Sequence, residues 1–176
     1  SYVSLDYVEA SKQIIAHLNA LGHERIAFIG AEPNLLWVIS RLQGYKEGLS
    51  EKGLKYDSDL VVLGKTGEEL KMELKRLTNG QSPVTAIYAA SNAKVVVQYL
   101  EELGLRVPDD ISFCSADPIY NDDGIGFTGV KCPYRDIAYY AVKALNDLMK
   151  SPHMTSQRIK FKGELVVLES TKSLDR

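Results

Sequence analysis

Apolar and polar positions follow two rhythms along this chain, one helical and one extended. Residues 2–5 read as the end of a strand. Over 6–21, Ile14, Ile15, Leu18 and Leu21 recur at the three-to-four spacing of one helical face. Asp6 and Glu9 form a D-x-x-E variant of the capping box at its start, and Gly22 stops it. The run RIAFIG (25–30) predicts a strand, 32–38 a loop, and 39–52 a helix stopped by Gly53. A short strand over 60–63 and a charged amphipathic helix over 67–78 follow, then the strand TAIYA (85–89) and a helix over 93–103. Gly104 can take the left-handed conformation that closes a helix, and Pro108 forbids a restart. Residues 111–116 are nearly uncharged, as a strand covered on both faces requires, and they deliver Asp117 at its end. Beyond it the pattern predicts a polar loop over 118–126, a strand over 127–131 and a helix over 136–149. A hairpin over 157–168 turning at Lys162-Gly163 ends the series.

Strands that alternate with helices of ~10–15 residues imply an α/β fold with a parallel sheet and right-handed crossovers. Open sheets of this kind place ligands at the carboxyl ends of their strands, where Asp117 falls. Composition adds boundaries. The 176 residues suffice for one domain with a real core, or one lobe plus parts of another. A net charge of −2, with basic residues scattered, gives no electrostatic case for nucleic-acid binding by this chain itself. No apolar run approaches the ~20 residues that span a bilayer, so no membrane partner is expected. Cys114 and Cys132 are the only cysteines, and Cys114 lies in an apolar strand; a reducing cytoplasm fits better than a disulfide framework.

Catalysis finds little support. His17, His23 and His153 fall in three segments without metal-ligand spacing. Asp109 and Asp110 read as solubilising acids before a strand, and residues 121–124 as a turn without the spaced acids of a calcium loop. No G-x-G-x-x-G, Walker loop or G-x-S-x-G occurs. No enzyme, metal or cofactor is expected, and the aromatic residues over 134–140 read as packing or a dimer face.

Several phrases carry a family resemblance. GLRVPDDIS (104–112) resembles the "GL-x-VP-D-D-(I/V)-S" of the lactose-repressor (LacI/GalR) family, which leads there to a ligand-binding Asp. LGHERIAFIG (21–30) resembles its "LGH-x-x-I-a-x-i", and Arg41-Leu42-Gln43-Gly44-Tyr45 its "R-x-x-G-(Y/F)". PVTAIY (83–88) resembles "P-T-A-I-(F/Y)" with one residue inserted. Thr128-Gly129-Val130 is similar to "T-T-V", Pro133 occupies the family's proline, and Glu164 to Thr171 resembles the "E-L-V-x-R-x-S-T" close. The resemblance implies a Rossmann-like, periplasmic-binding-protein-like type I fold with an effector held between two lobes. Two such lobes need roughly 250–300 residues. On that pattern the DNA-binding head and most of the N-terminal lobe are missing. The C-terminal lobe is expected over 24–117 and 151–171, and N-terminal-lobe elements over 1–23 and 118–150. Those remnants would expose apolar surface or cover it with a partner chain.

The resemblance also nominates effector-binding residues. Arg41 matches an effector-contacting arginine, and its planar fork of donors suits adjacent hydroxyls or a carboxylate. The plainer alternative is an arginine in a first helical turn that is solvated or paired with a carboxylate. Asp117 accepts sugar hydroxyls, or caps the loop that follows. Trp37, the only tryptophan, stacks on a sugar face or plugs the core from its loop. Asp6 matches an acidic position near the cleft and equally an N-cap. Tyr88 and Asn92 flank the loop where the family shows "N-D"; Asn92 contacts ligand or caps its helix. Cys132 replaces a glutamine near the ligand, and Ser115-Ala116 replace "G-(Y/F)", which points to a different effector.

Together these readings predict the effector-sensing domain of a bacterial transcriptional repressor, probed by a sugar or sugar derivative and working as a homodimer. DNA would be reached only through the missing head. The alternative is a periplasmic sugar-binding protein of a transport system.

Overall fold

The computed structural model describes residues 1–120, 124–150, 155 and 157–174; the turn expected over 121–123 and His153 lie outside them. Strand β1 (Tyr2–Leu5) leads into helix α1 (Tyr7–Ala20). Asp6 caps α1 by accepting the Glu9 N–H at 3.3 Å. The reciprocal half of the capping box is absent: the Asp6 N–H donates to the Phe161 carbonyl at 2.8 Å, and Glu9 pairs with Lys162 at 3.1 Å. Gly22, at φ +90°, turns the chain toward β2 (Ile26–Gly30).

Helix α2 (Leu36–Glu51) begins before the expected residue 39, so Trp37 sits in its first turn and not in a loop. Its N-cap, Leu35, has no side chain able to cap, and the first turn has no acid, so no local signal marks the start. A 3₁₀ turn at Ser58–Leu60 precedes β3 (Val61–Leu63), α3 (Gly67–Asn79), β4 (Ala86–Ala89), α4 (Ala93–Glu102) and β5 (Ser112–Ser115). Then come β6 (Ile119–Tyr120), β7 (Gly126–Phe127), β8 (Gly129–Lys131), α5 (Tyr134–Lys150), β9 (Arg158–Phe161) and β10 (Glu164–Val166).

The main sheet is parallel throughout, in the order β3-β2-β4-β5. Successive strand residues face opposite sides, and the core divides accordingly. Ala27, Ile29, Ile87 and Phe113 pack against Leu70, Leu74, Val96 and Leu100 of α3 and α4. Phe28, Tyr88 and Cys114, aligned across three strands, pack against Ile14, Ile15, Tyr45 and Leu49 of α1 and α2. The result is a three-layer α/β/α sandwich. Helix α1 is one of its covering helices. The reason lies in α2: a Cβ on Gly44 would fall 2.3 Å from the Val8 carbonyl oxygen, and one on Gly48 2.9 Å from Ile15 Cβ. Gly44 lets α2 meet the backbone of α1, and Gly48, one turn on, makes room for the Ile15 side chain.

Two expectations are corrected. The polar loop over 118–126 contains β6, which pairs antiparallel with β7, and Phe127 enters the α3/α4 core. The hairpin over 157–168 does not form. β9 pairs parallel with β1, whereas β10 pairs antiparallel with β8. Gly163 is required for close approach: its Cβ would meet Val130 Cγ1 at 2.4 Å.

Beside the sandwich stand β1, β9 and α5. Helix α5 touches them through Tyr140, 5.3 Å ring to ring from Phe161, and exposes Tyr139, Val142, Leu145 and Met149. The C-terminal strap is tied to the sandwich by a buried polar network. The Ser170 hydroxyl donates to the Phe113 carbonyl at 2.5 Å and accepts the Thr128 N–H at 2.8 Å. The Thr171 hydroxyl meets His17 Nε2 at 3.0 Å. His23 Nε2 donates to the Lys172 carbonyl at 3.0 Å while its Nδ1 meets the Thr85 hydroxyl at 3.0 Å. Burial lowers the pKa of both histidines, His23 adding a repulsive contribution at His17.

Candidate functional site

The carboxyl ends of β4 and β5, the first turns of α2 and the N-terminus of α4 border an open cavity of about 230 Å³. Trp37, Arg41, Asn92 and Asp117 all line it, so the fold brings together four of the six residues singled out from sequence.

Arg41 comes from the second turn of α2. No ion pair with a carboxylate is found for it among the described residues. Its Nη1 instead donates to the Ala90 carbonyl at 3.0 Å. The guanidinium carbon stands 4.9 Å from the Tyr7 ring centroid and 5.0 Å from that of Trp37. A carbonyl and two aromatic rings therefore replace the carboxylate partner.

Asp117 lies just past β5. Its Oδ1 accepts the Tyr134 hydroxyl at 3.3 Å, and its backbone carbonyl accepts the Ser115 hydroxyl. Behind it, a Cβ on Gly129 would meet the Asp117 carbonyl carbon at 2.6 Å, so β8 can run close only because that residue is glycine. Burial and then Asp117 raise the pKa of Tyr134. The Cys132 thiol is raised by burial and Asp117, with Arg41 opposing.

Asn92 is the N-cap of α4 with left-handed backbone at φ 54°, and its side chain makes no capping hydrogen bond. Beside it the Ser91 hydroxyl oxygen is buried and without a partner among the described residues.

The other two nominated residues lie elsewhere. Tyr88 is 1% exposed on the α1/α2 side of the sheet, its hydroxyl 2.9 Å from Ser11 Oγ and its ring edge-on to Phe28. Burial pushes that phenol up to about 12. Strand alternation turns Ala89, the next residue, toward the cavity. Asp6 serves as N-cap and lies 3.7 Å from Lys160, outside the cavity wall. Sequence reasoning missed Ser91 and Ser115 in the wall, and Tyr7 and Tyr134 behind the two charged residues. The tyrosines each begin a helix, a position that carries no motif, and only the fold shows what they meet.

The wall thus offers a fork of donors on one side, a carboxylate acceptor on the other and apolar surface between them. That set can hold a polar, largely neutral molecule. Among the described residues no group of three or more His, Cys, Asp or Glu could hold a metal ion, and no helix is long and apolar enough to cross a membrane.

Comparison with known proteins places this geometry in context. Residues 15–171 match the family described as periplasmic binding protein-like domain. The transcriptional regulator CelR of Thermobifida fusca is 32% identical over 120 residues, covering 66% of this chain and 35% of that protein. Among solved structures, a LacI regulator from Bacillus cereus subsp. cytotoxis NVH 391-98 superposes with a TM-score of 0.84 at 25% identity. That match covers 99% of this chain and 64% of the other. A complex of CelR with cellobiose superposes with a TM-score of 0.81 at 27% identity, over 97% of this chain and 54% of that one. The chain spans 52% and 53% of two further curated relatives, so about half their length.

Proposed function

The chain belongs to the periplasmic binding protein-like domain family, with LacI-type transcriptional regulators as its relatives, and on that premise we propose that it senses a sugar-like effector for a bacterial repressor. One observation carries the reading: Arg41 and Asp117 line a single cavity at the carboxyl ends of parallel strands. The arginine donates to ligand oxygens, the carboxylate accepts from hydroxyls, and Trp37 and the serines complete the wall. The bound cellobiose of the related CelR supports a saccharide as the ligand class.

At about 230 Å³ the cavity is below the ~300–1,000 Å³ of ligand pockets in general, which supports a second lobe as its other wall. We assign the sandwich to one lobe and β1, β9 and α5 to the second. Effector bridging both lobes shifts the population toward one lobe angle, and this alters the spacing of DNA-binding heads in a cytoplasmic homodimer. The shift is limited by the effector's differential affinity for the two states. Regulators as relatives favour this reading over a transport protein of the periplasm.

Calorimetric titration of the intact polypeptide with pentoses, hexoses, their phosphates, ribose and cellobiose tests it. Arg41→Ala is expected to abolish the response to whichever sugar binds while DNA affinity survives. An unchanged titration refutes the assignment of the site.

A further inference from the structure

The surroundings of Arg41 say more than that it faces a ligand. Tyr7, on α1, and Trp37, one turn before Arg41 on α2, both hold their rings about 5 Å from the guanidinium carbon. The Trp37–Arg41 spacing of four residues puts both side chains on one helical face. Ala90 accepts from Nη1, and the remaining N–H groups are left for the cavity that Arg41 lines.

We propose that Tyr7 and Trp37 are positioning residues that clamp the Arg41 guanidinium and present its unengaged N–H edge to the ligand. Trp37 then acts chiefly through Arg41 and not as a stacking platform for a sugar. A free arginine loses much rotamer freedom when it is ordered by a ligand, and a clamp removes that cost before binding. It also stabilises a cation that has no ion pair among the described residues. Tyr7 follows β1 and the Asp6 cap directly, so the clamp ties the site to the segment by which the chain enters the sandwich. Only the affinity arm of the test rests on the effector reading above; the clamp itself is a property of the unliganded protein.

The test has a ligand-free arm and a binding arm. In the nitrogen–proton NMR spectrum, the Arg41 Nε–H signal, identified by its loss in Arg41→Lys, should be displaced by ring currents. The displacement should persist in Tyr7→Phe and diminish in Tyr7→Leu. For the sugar that binds best among ribose, cellobiose and the common pentoses and hexoses, Tyr7→Phe should bind within about twofold of the parent. Tyr7→Leu should bind about five- to thirty-fold more weakly, the equilibrium factor of one desolvated cation–π contact. The single tryptophan lets fluorescence follow Trp37 in the Tyr7 and Arg41 variants. If Tyr7→Leu does not fold, Trp37→Leu supplies the ligand-free comparison, in which the Arg41 displacement should likewise diminish. An undisplaced Arg41 signal, or one indifferent to Tyr7→Leu, overturns the clamp. Equal weakening by Tyr7→Phe and Tyr7→Leu also overturns it, because the hydroxyl and not the ring would then matter. Failure of every sugar to bind refutes the effector reading, while the NMR arm still decides the clamp.

Discussion

Replacing Gly44 with alanine tests the packing that brings α1 onto the sheet. The added methyl would lie 2.3 Å from the Val8 carbonyl oxygen and 2.8 Å from both Val8 Cα and Ser11 Cβ. Two of these three atoms are backbone, so no rotamer change relieves the clash. Helix α1 has to retreat by about 1 Å to reach ordinary contact distance. Ile14, Ile15 and Leu18, all fully buried, would retreat with it and lose part of their dispersion contacts. Overpacking of this kind costs about 1–3 kcal/mol, and alanine returns about 1 kcal/mol of helix propensity. With the lost contacts added, the net destabilisation is about 2 kcal/mol. For a chain of this size that lowers the melting temperature by about 4–8 °C. Circular dichroism at 222 nm during heating measures it, with Gly80→Ala as the control. Gly80 has φ −74° and only ordinary contacts, the nearest at 3.6 Å, so alanine there is expected to be neutral or slightly stabilising. A melting temperature for Gly44→Ala no lower than for Gly80→Ala would refute the backbone-contact argument.

Further outcomes are expected from the polar core. Tyr88→Phe should leave sugar affinity unchanged and lower stability by about 1–3 kcal/mol, because it leaves the Ser11 hydroxyl buried without its partner; denaturant titration beside calorimetry separates the two effects. Ser170→Ala should cost a similar ~1–3 kcal/mol, because the Thr128 N–H loses its acceptor and the Phe113 carbonyl loses a donor. Both histidines have pKa values below the ordinary 6.5, so the unfolded chain binds protons that the folded chain refuses. Stability should therefore be full above pH 6.5 and fall as the pH drops through that value, and His23→Gln should flatten the slope of melting temperature against pH.

Much of the fold was legible because it rests on local physics. The apolar run 111–116 announced β5, and the glycines at 22, 53 and 104, all at positive φ, announced helix ends. The start of α2 was missed because Leu35 offers no capping atom. The expected hairpin failed because Gly163 answers to Val130, a residue far away in sequence. Within the site, Arg41 and Asp117 were visible through motif wording, and Asn92 through its place between a strand and a helix. Tyr88 was misplaced by one residue's worth of alternation: a shift of one position along β4 exchanges the cavity for the core.

By itself the sequence determined the alternation of strands and helices, the parallel sheet and the delivery of Asp117 to a strand's carboxyl end. These follow from periodicity and from conformations that glycine and proline permit or forbid, which act over a few residues. Tertiary structure alone decided that α1 covers the main sheet, where β9 and β10 pair, and that Arg41 is held by two rings and a carbonyl in place of a carboxylate. Those outcomes depend on atoms brought together from distant segments. Tyr7 lies 34 positions before Arg41, and Ala90 accepts its hydrogen bond from 49 residues away. No local pattern encodes such meetings; close packing of the folded layers selects them.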